Sequence, residues 1–146
     1  MQERLSFADF FDILTKKSQE ITNELEDIIT VEVKEAPSLT EVKDTDTRYV
    51  YYSQSVNLGL KLGRLISNAY FTKDASVKVK YKLQKDTSAP PKLLSQYIRD
   101  VDALIQELEN IIQSAKSYKE GVDNLIRFYQ NTCYMFGGIF DVKSSI

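Results

Sequence analysis

The chain has 146 residues, 42% of them apolar and 27% charged, a balance that suits one globular domain with its own core. Its net charge is −2 and its isoelectric point is about 5.3. It has no histidine and a single cysteine, Cys133. That excludes Ser-His-Asp and Cys-His triads, HExxH and ExxH metal sites, an intramolecular disulfide and a cysteine zinc site. None of the five glycines falls in GxGxxG or GxxxxGKS/T order, so no phosphate-cradling loop is expected. No apolar run approaches the ~18 residues of a membrane span. The start, "MQERLSFADFFDIL", lacks a cationic segment followed by an uncharged apolar one, so no signal peptide is read. The expectation is a cytoplasmic protein that is not an enzyme and uses no cofactor or metal.

The first helix is predicted from Ser6, with Ser6 and Asp9 as a capping box. Phe7, Leu14, Ile21 and Ile28 repeat every seven residues, joined by Phe10, Phe11 and Leu25. Lys17, Ser18 and Glu24 interrupt that stripe and predict looser packing in its middle. "TVEVKE", residues 30 to 35, alternates like a short strand that Pro37 ends, and residues 38 to 47 read as a loop. "RYVYYS" suits either a strand over 48 to 53 or the start of a second helix. From Ser55 the helix is clearer. Leu58, Leu62, Leu65 and Ala69 make one row beside Val56, Gly59, Gly63, Ile66 and Tyr70. Gly59 and Gly63, four apart, each cost roughly 1 kcal/mol relative to Ala, which points to a close backbone neighbour.

"SVKVKYKLQK", residues 76 to 85, alternates Val77, Val79, Tyr81 and Leu83 with Lys78, Lys80 and Lys82. It reads as a strand with one apolar and one cationic face, and Tyr81 falls on the apolar face. Pro90 and Pro91 suit the first turn of a third helix. Leu94, Val101, Leu108 and Ala115 form one row of it, and Tyr97, Leu104, Ile111 and Tyr118 another, widened by Ile98, Ile105 and Ile112. The pattern continues through Val122, Leu125, Tyr129 and Phe136. A single helix over 91 to 136 would be about 69 Å long at ~1.5 Å per residue, so a turn is expected near 117 to 121, where Ser117 and Glu120 form a capping box before Gly121. The pair "GG" at 137 and 138 should end the last helix. The predicted fold class is mainly α. It is a helical bundle of about four helices in one domain, residues 1 to 146, with a small β-sheet insertion from about 30 to 53 and 74 to 86.

Charge is uneven. Between residues 61 and 92, eight cationic residues stand against Asp74 and Asp86, a local balance of +6 in a chain of −2, so the remainder carries −8. The candidate contact residues for nucleic acid or a partner are Lys61, Arg64, Lys73, Lys78, Lys80, Lys82 and Lys85. Such cations can neutralise phosphates, or they can protect a sheet edge from pairing. A positive patch on an acidic body also permits head-to-tail self-association. Glu20, Glu24 and Asp27 share a helix face and are candidate oxygen ligands, with a solvated face as the plainer reading. The aromatics of "YVYY" (49 to 52) and "CYMFGGIF" (133 to 140) read as core or, where exposed, as a protein interface, and Cys133 reads as a small buried apolar residue.

Three segments together resemble the small subunit of the archaeal type I-A CRISPR Cascade complex: "RLISNAYF", then "SVKVKYKLQK", then "LLSQYIRDVDALIQELENIIQ". The likeness is one of arrangement and rests on no diagnostic motif. It implies a non-enzymatic subunit of an antiviral nucleoprotein complex, touching backbone subunits, neighbouring copies and, weakly, the guide or target strand. The alternative from the residues is a virus-encoded or structural helical protein acting only through protein contacts. A carboxylate-based enzyme is a third.

Overall fold

The computed structural model describes residues 6–33, 45–86 and 90–145, with side chains described over 6–30, 48–86 and 90–131. Among these residues there are three α-helices: α1 (Phe7–Asp27), α2 (Thr45–Lys85) and α3 (Pro91–Ser145). A short π-helical segment, Ile28–Val33, prolongs α1. The chain divides into two compact units. Unit 1 holds Met1–Leu25 with Leu65–Ala115, and unit 2 holds Glu26–Arg64 with Lys116–Ile146.

The helix starts follow local chemistry. The Asp9 backbone N–H donates to Ser6 Oγ at 3.3 Å, and the Asp9 carboxylate accepts from Ser6 Oγ at 2.8 Å and Ser6 N at 3.4 Å. This is the expected capping box. α3 opens at Pro91, where the missing N–H is no loss.

Unit 1 is built on one apolar seam. Its buried positions are Leu14, Ser18, Ile21 and Leu25 in α1; Leu65, Ala69, Thr72, Ser76 and Leu83 in α2; and Val101, Leu104, Leu108, Ile111, Ile112 and Ala115 in α3. On each helix the steps are mainly three and four, the spacing that keeps one face on its neighbours. Lys17 and Glu24 are exposed, off the seam, so only Ser18 interrupts α1. Phe7 stacks on Tyr97 with ring centroids 4.1 Å apart and on Phe11 at 5.6 Å. Lys73 pairs with Glu109 at 3.3 Å and Lys80 with Asp102 at 2.7 Å. The two pairs lie seven residues apart on both helices and in opposite senses, so α2 and α3 run antiparallel here.

Unit 2 buries Ile28, Leu58, Leu62, Val122 and Tyr129. A Cβ on Gly59 would meet Ile126 Cδ1 at 3.5 Å and Val122 Cγ1 at 3.7 Å, and one on Gly63 would meet Lys119 Cε at 3.9 Å. These are ordinary contacts with side chains, so the glycines do not serve a close backbone approach. Gln130 Nε2 donates to Tyr52 Oη at 3.3 Å.

The sheet insertion is absent among the described residues. Residues 30 to 33 are π-helical, 48 to 53 lie in α2, and so does the lysine stretch 76 to 85. Residues 34 and 35 lie outside the described residues, as does the part of the expected loop from 38 to 44. The physical reason sits at Thr72 and Ser76. They hold the seam's register into the lysine stretch, and each satisfies its hydroxyl on its own helix: Thr72 Oγ1 donates to the Asn68 carbonyl and Ser76 Oγ to the Thr72 carbonyl, both at 2.8 Å. A strand at 76 to 84 would also have had no partner, since both candidate partners are helical over their described residues.

No fourth α-helix occurs among the described residues either. α3 passes unbroken through 117 to 121, and no glycine among the described residues has a positive φ. Beyond that point Val122 and Tyr129 remain buried in unit 2, so a paired seam carries the helix on where a turn was expected. Gly137 and Gly138 also lie within α3. The side chains of Cys133 and Phe136 lie outside the described ones.

Candidate functional site

The seven candidate cations divide between the two units. Lys61 and Arg64 are exposed in unit 2, and the other five belong to unit 1. Within unit 1 the helix separates residues that a strand would have aligned. Lys73 and Lys80, seven apart, face α3 and are half-buried against Glu109 and Asp102. Their role is to fix the α2–α3 register, as flanking charges do beside a heptad seam. Lys78, Lys82 and Lys85 are exposed and make no ion pair among the described residues.

Beside Lys78 and Lys82 lies an apolar groove between α1 and α2, with a volume of about 940 Å³. α1 supplies Phe7, Phe10, Ile13 and Leu14. α2 supplies Ala75, Val79 and Leu83 together with the polar Lys78 and Lys82, and Asp86 follows just past its end. Phe10 is 42% exposed and Ile13 is 48% exposed, large apolar groups that unit 1 leaves open on one side. The signal was present in the sequence. Phe10 belongs to the expected apolar stripe of α1, whereas Ile13 lies outside that stripe, and the alternation of Val79 and Leu83 with lysines suggests a strand.

A second feature lies on the exposed side of α2. Phe71 is 78% exposed and Tyr81 is 60% exposed, and with Lys78 and Lys85 they fall at steps of seven, three and four. Tyr81 is therefore not a core residue. Tyr49 and Val50 are also exposed, whereas Tyr51 and Tyr52 are half-buried.

Ser18 Oγ and Tyr129 Oη have no hydrogen-bond partner among the described residues. Burial pushes the Tyr129 phenol above the usual 10.0, and the charge that Tyr51 would carry adds to the shift. Glu20, Glu24 and Asp27 are each exposed, and no cluster of three acidic or cysteine residues able to hold a metal occurs among the described residues. No helix among the described residues is long and apolar enough to cross a membrane.

No protein-family model, curated protein or solved structure matches this chain.

Proposed function

We propose that this chain is a non-enzymatic helical subunit that acts by joining other proteins in an assembly, with the groove of unit 1 as its docking surface. The groove carries the reading. Unit 1 has a complete seam of its own, yet it leaves Phe10 and Ile13 open beside Val79 and Leu83. Open apolar grooves rimmed by polar residues are the usual form of a protein-docking surface. The absence of histidine from the sequence removes the commonest general base, which weighs against the enzyme reading. The test is size-exclusion chromatography of the tagged chain from its native source. The wild type should co-elute with other proteins well above its own 16.8 kDa, and the Phe10→Glu/Ile13→Glu double variant should leave that fraction while staying helical. Elution of both forms at the chain's own mass sinks the proposal.

A second reading has its own observation, the exposed stripe of Phe71, Lys78, Tyr81 and Lys85. Aromatic faces interleaved with cations suit single-stranded nucleic acid. This is the form that the likeness to the Cascade small subunit implies, although its supposed β segment is helical here. Replacing Lys78 and Lys85 with Glu in the assembled complex should then reduce the slope of log K against log salt by roughly 0.7–0.9 per lost phosphate contact. An unchanged slope removes this reading.

A further inference from the structure

The groove between α1 and α2 differs from an ordinary apolar patch in the charge beside it. Lys78 and Lys82 stand one helical turn apart, both line the groove, and neither has an ion pair among the described residues. Asp86 is the only carboxylate among the described residues that line it. We infer that the groove takes an acidic amphipathic helix from a partner protein, which lays its apolar stripe on Phe10, Ile13 and Val79 and sets carboxylates against Lys78 and Lys82. The inference rests on the groove being a docking surface, and it names the chemistry of what docks.

Three features select this occupant. The groove walls are two helices, so a third helix can seat its ridges between them, whereas β-strand addition needs a sheet edge and none occurs among the described residues. Its length fits: α2 lines the groove from Ala75 to Leu83, about 12 Å at ~1.5 Å per residue, with Asp86 just past the helix end, which suits a little over two turns of a partner helix. Charge then weighs against a two-fold pairing of grooves. Two grooves meeting about a two-fold axis would bring Lys78 and Lys82 of one copy towards the same residues of the other, and like charges across an interface oppose association. An acidic helix turns the same cations into a selection for its sign.

The probe is a labelled amphipathic peptide of about 14 residues, with leucines on one face and glutamates flanking them, alongside a twin carrying lysines in place of the glutamates. Fluorescence anisotropy with the full chain should show the acidic peptide binding about tenfold or more tightly than its basic twin, the size expected for close charge pairs. Charge reversal by Lys78→Glu with Lys82→Glu should invert that order, and Ile13→Glu should abolish binding of both; circular dichroism confirms that each variant is folded. Equal affinity for the two peptides, or an order that the charge-reversed variant does not invert, overturns the inference. So does a concentration-dependent dimer in sedimentation that Ile13→Glu abolishes, because the occupant is then a second copy. So does a single-stranded oligonucleotide that binds more tightly than the acidic peptide and is lost in the charge-reversed variant. If native co-elution depends on Phe10 and Ile13 but the peptides show no charge preference, the docking function stands and the acidic occupant falls. If the peptides behave as expected but the native chain elutes alone, the groove chemistry stands and the assembly function falls.

Discussion

Along α3 the buried positions of unit 1 are Val101, Leu104, Leu108, Ile111, Ile112 and Ala115; along α2 they are Leu65, Ala69, Thr72, Ser76 and Leu83. Both step mainly by threes and fours. One half is apolar throughout, while the other has two hydroxyls in its middle. The difference shows that a seam position is defined by where it points, and that a small polar residue can occupy it when its own helix accepts its hydrogen bond. Thr72 and Ser76 do this. The α3 half therefore supplies most of the apolar burial, and the α2 half supplies shape, register and a surface for other contacts.

Alanine substitutions on the two halves should differ in size and in sign. Leu104→Ala and Leu108→Ala should each destabilise by about 2–5 kcal/mol, the range for a well-buried leucine, as read from denaturant melts. Losses below about 0.5 kcal/mol would place that stripe at a surface.

Gly121→Ala tests whether α3 truly runs on. A Cβ there meets nothing within 4 Å. In a continuous helix the substitution should stabilise by about 1 kcal/mol. A loss of stability would restore the turn expected at 117 to 121.

Tyr129→Phe should raise stability by about 1 kcal/mol, because it removes a buried hydroxyl that has no partner among the described residues. Its pH dependence has a defined sign. The folded state holds the phenol proton more tightly than the unfolded chain, so this contribution is complete below pH 10.0 and is lost as pH rises through the raised folded value. Alkaline melts of the wild type should fall more steeply than those of the phenylalanine variant. Parallel curves would mean that Tyr129 is solvated.

Ser76→Ala should be neutral or stabilise by about 0.5 kcal/mol, since alanine is the better helix former and the lost bond is only to the Thr72 carbonyl. A loss above about 1.5 kcal/mol would show that the hydroxyl links helices. The smallest effect belongs to the flanking charges. A double-mutant cycle on Lys80 and Asp102 should give about 0.2–1 kcal/mol and shrink with added salt, because both groups are partly exposed. A coupling insensitive to salt would contradict a surface register pair.

The sequence by itself determined the helical class, the capping box at Ser6, the start of α3 at Pro91, the row of Leu58, Leu62, Leu65 and Ala69, and in α3 the row through Val101, Leu108 and Ala115 beside the row through Leu104 and Ile111. These are local propensities and long apolar repeats, and they need no partner to be legible. Only the tertiary structure decided the state of residues 76 to 85. Val77, Val79, Tyr81 and Leu83 alternate with lysines as a strand would, but on the helix their faces differ: Leu83 is buried, Val79 lines the groove and Tyr81 faces solvent. The competing heptad was hidden because Thr72 and Ser76 are polar, and nothing in a single sequence shows that their hydroxyls bond backward along the helix. The same uncertainty split the lysines. Lys73 and Lys80 found Glu109 and Asp102 on α3, while Lys78 and Lys82 were left beside an apolar groove. Which of these cations neutralise a carboxylate and which remain for a partner is a matter of helix phase, and that phase is set by burial of the seam.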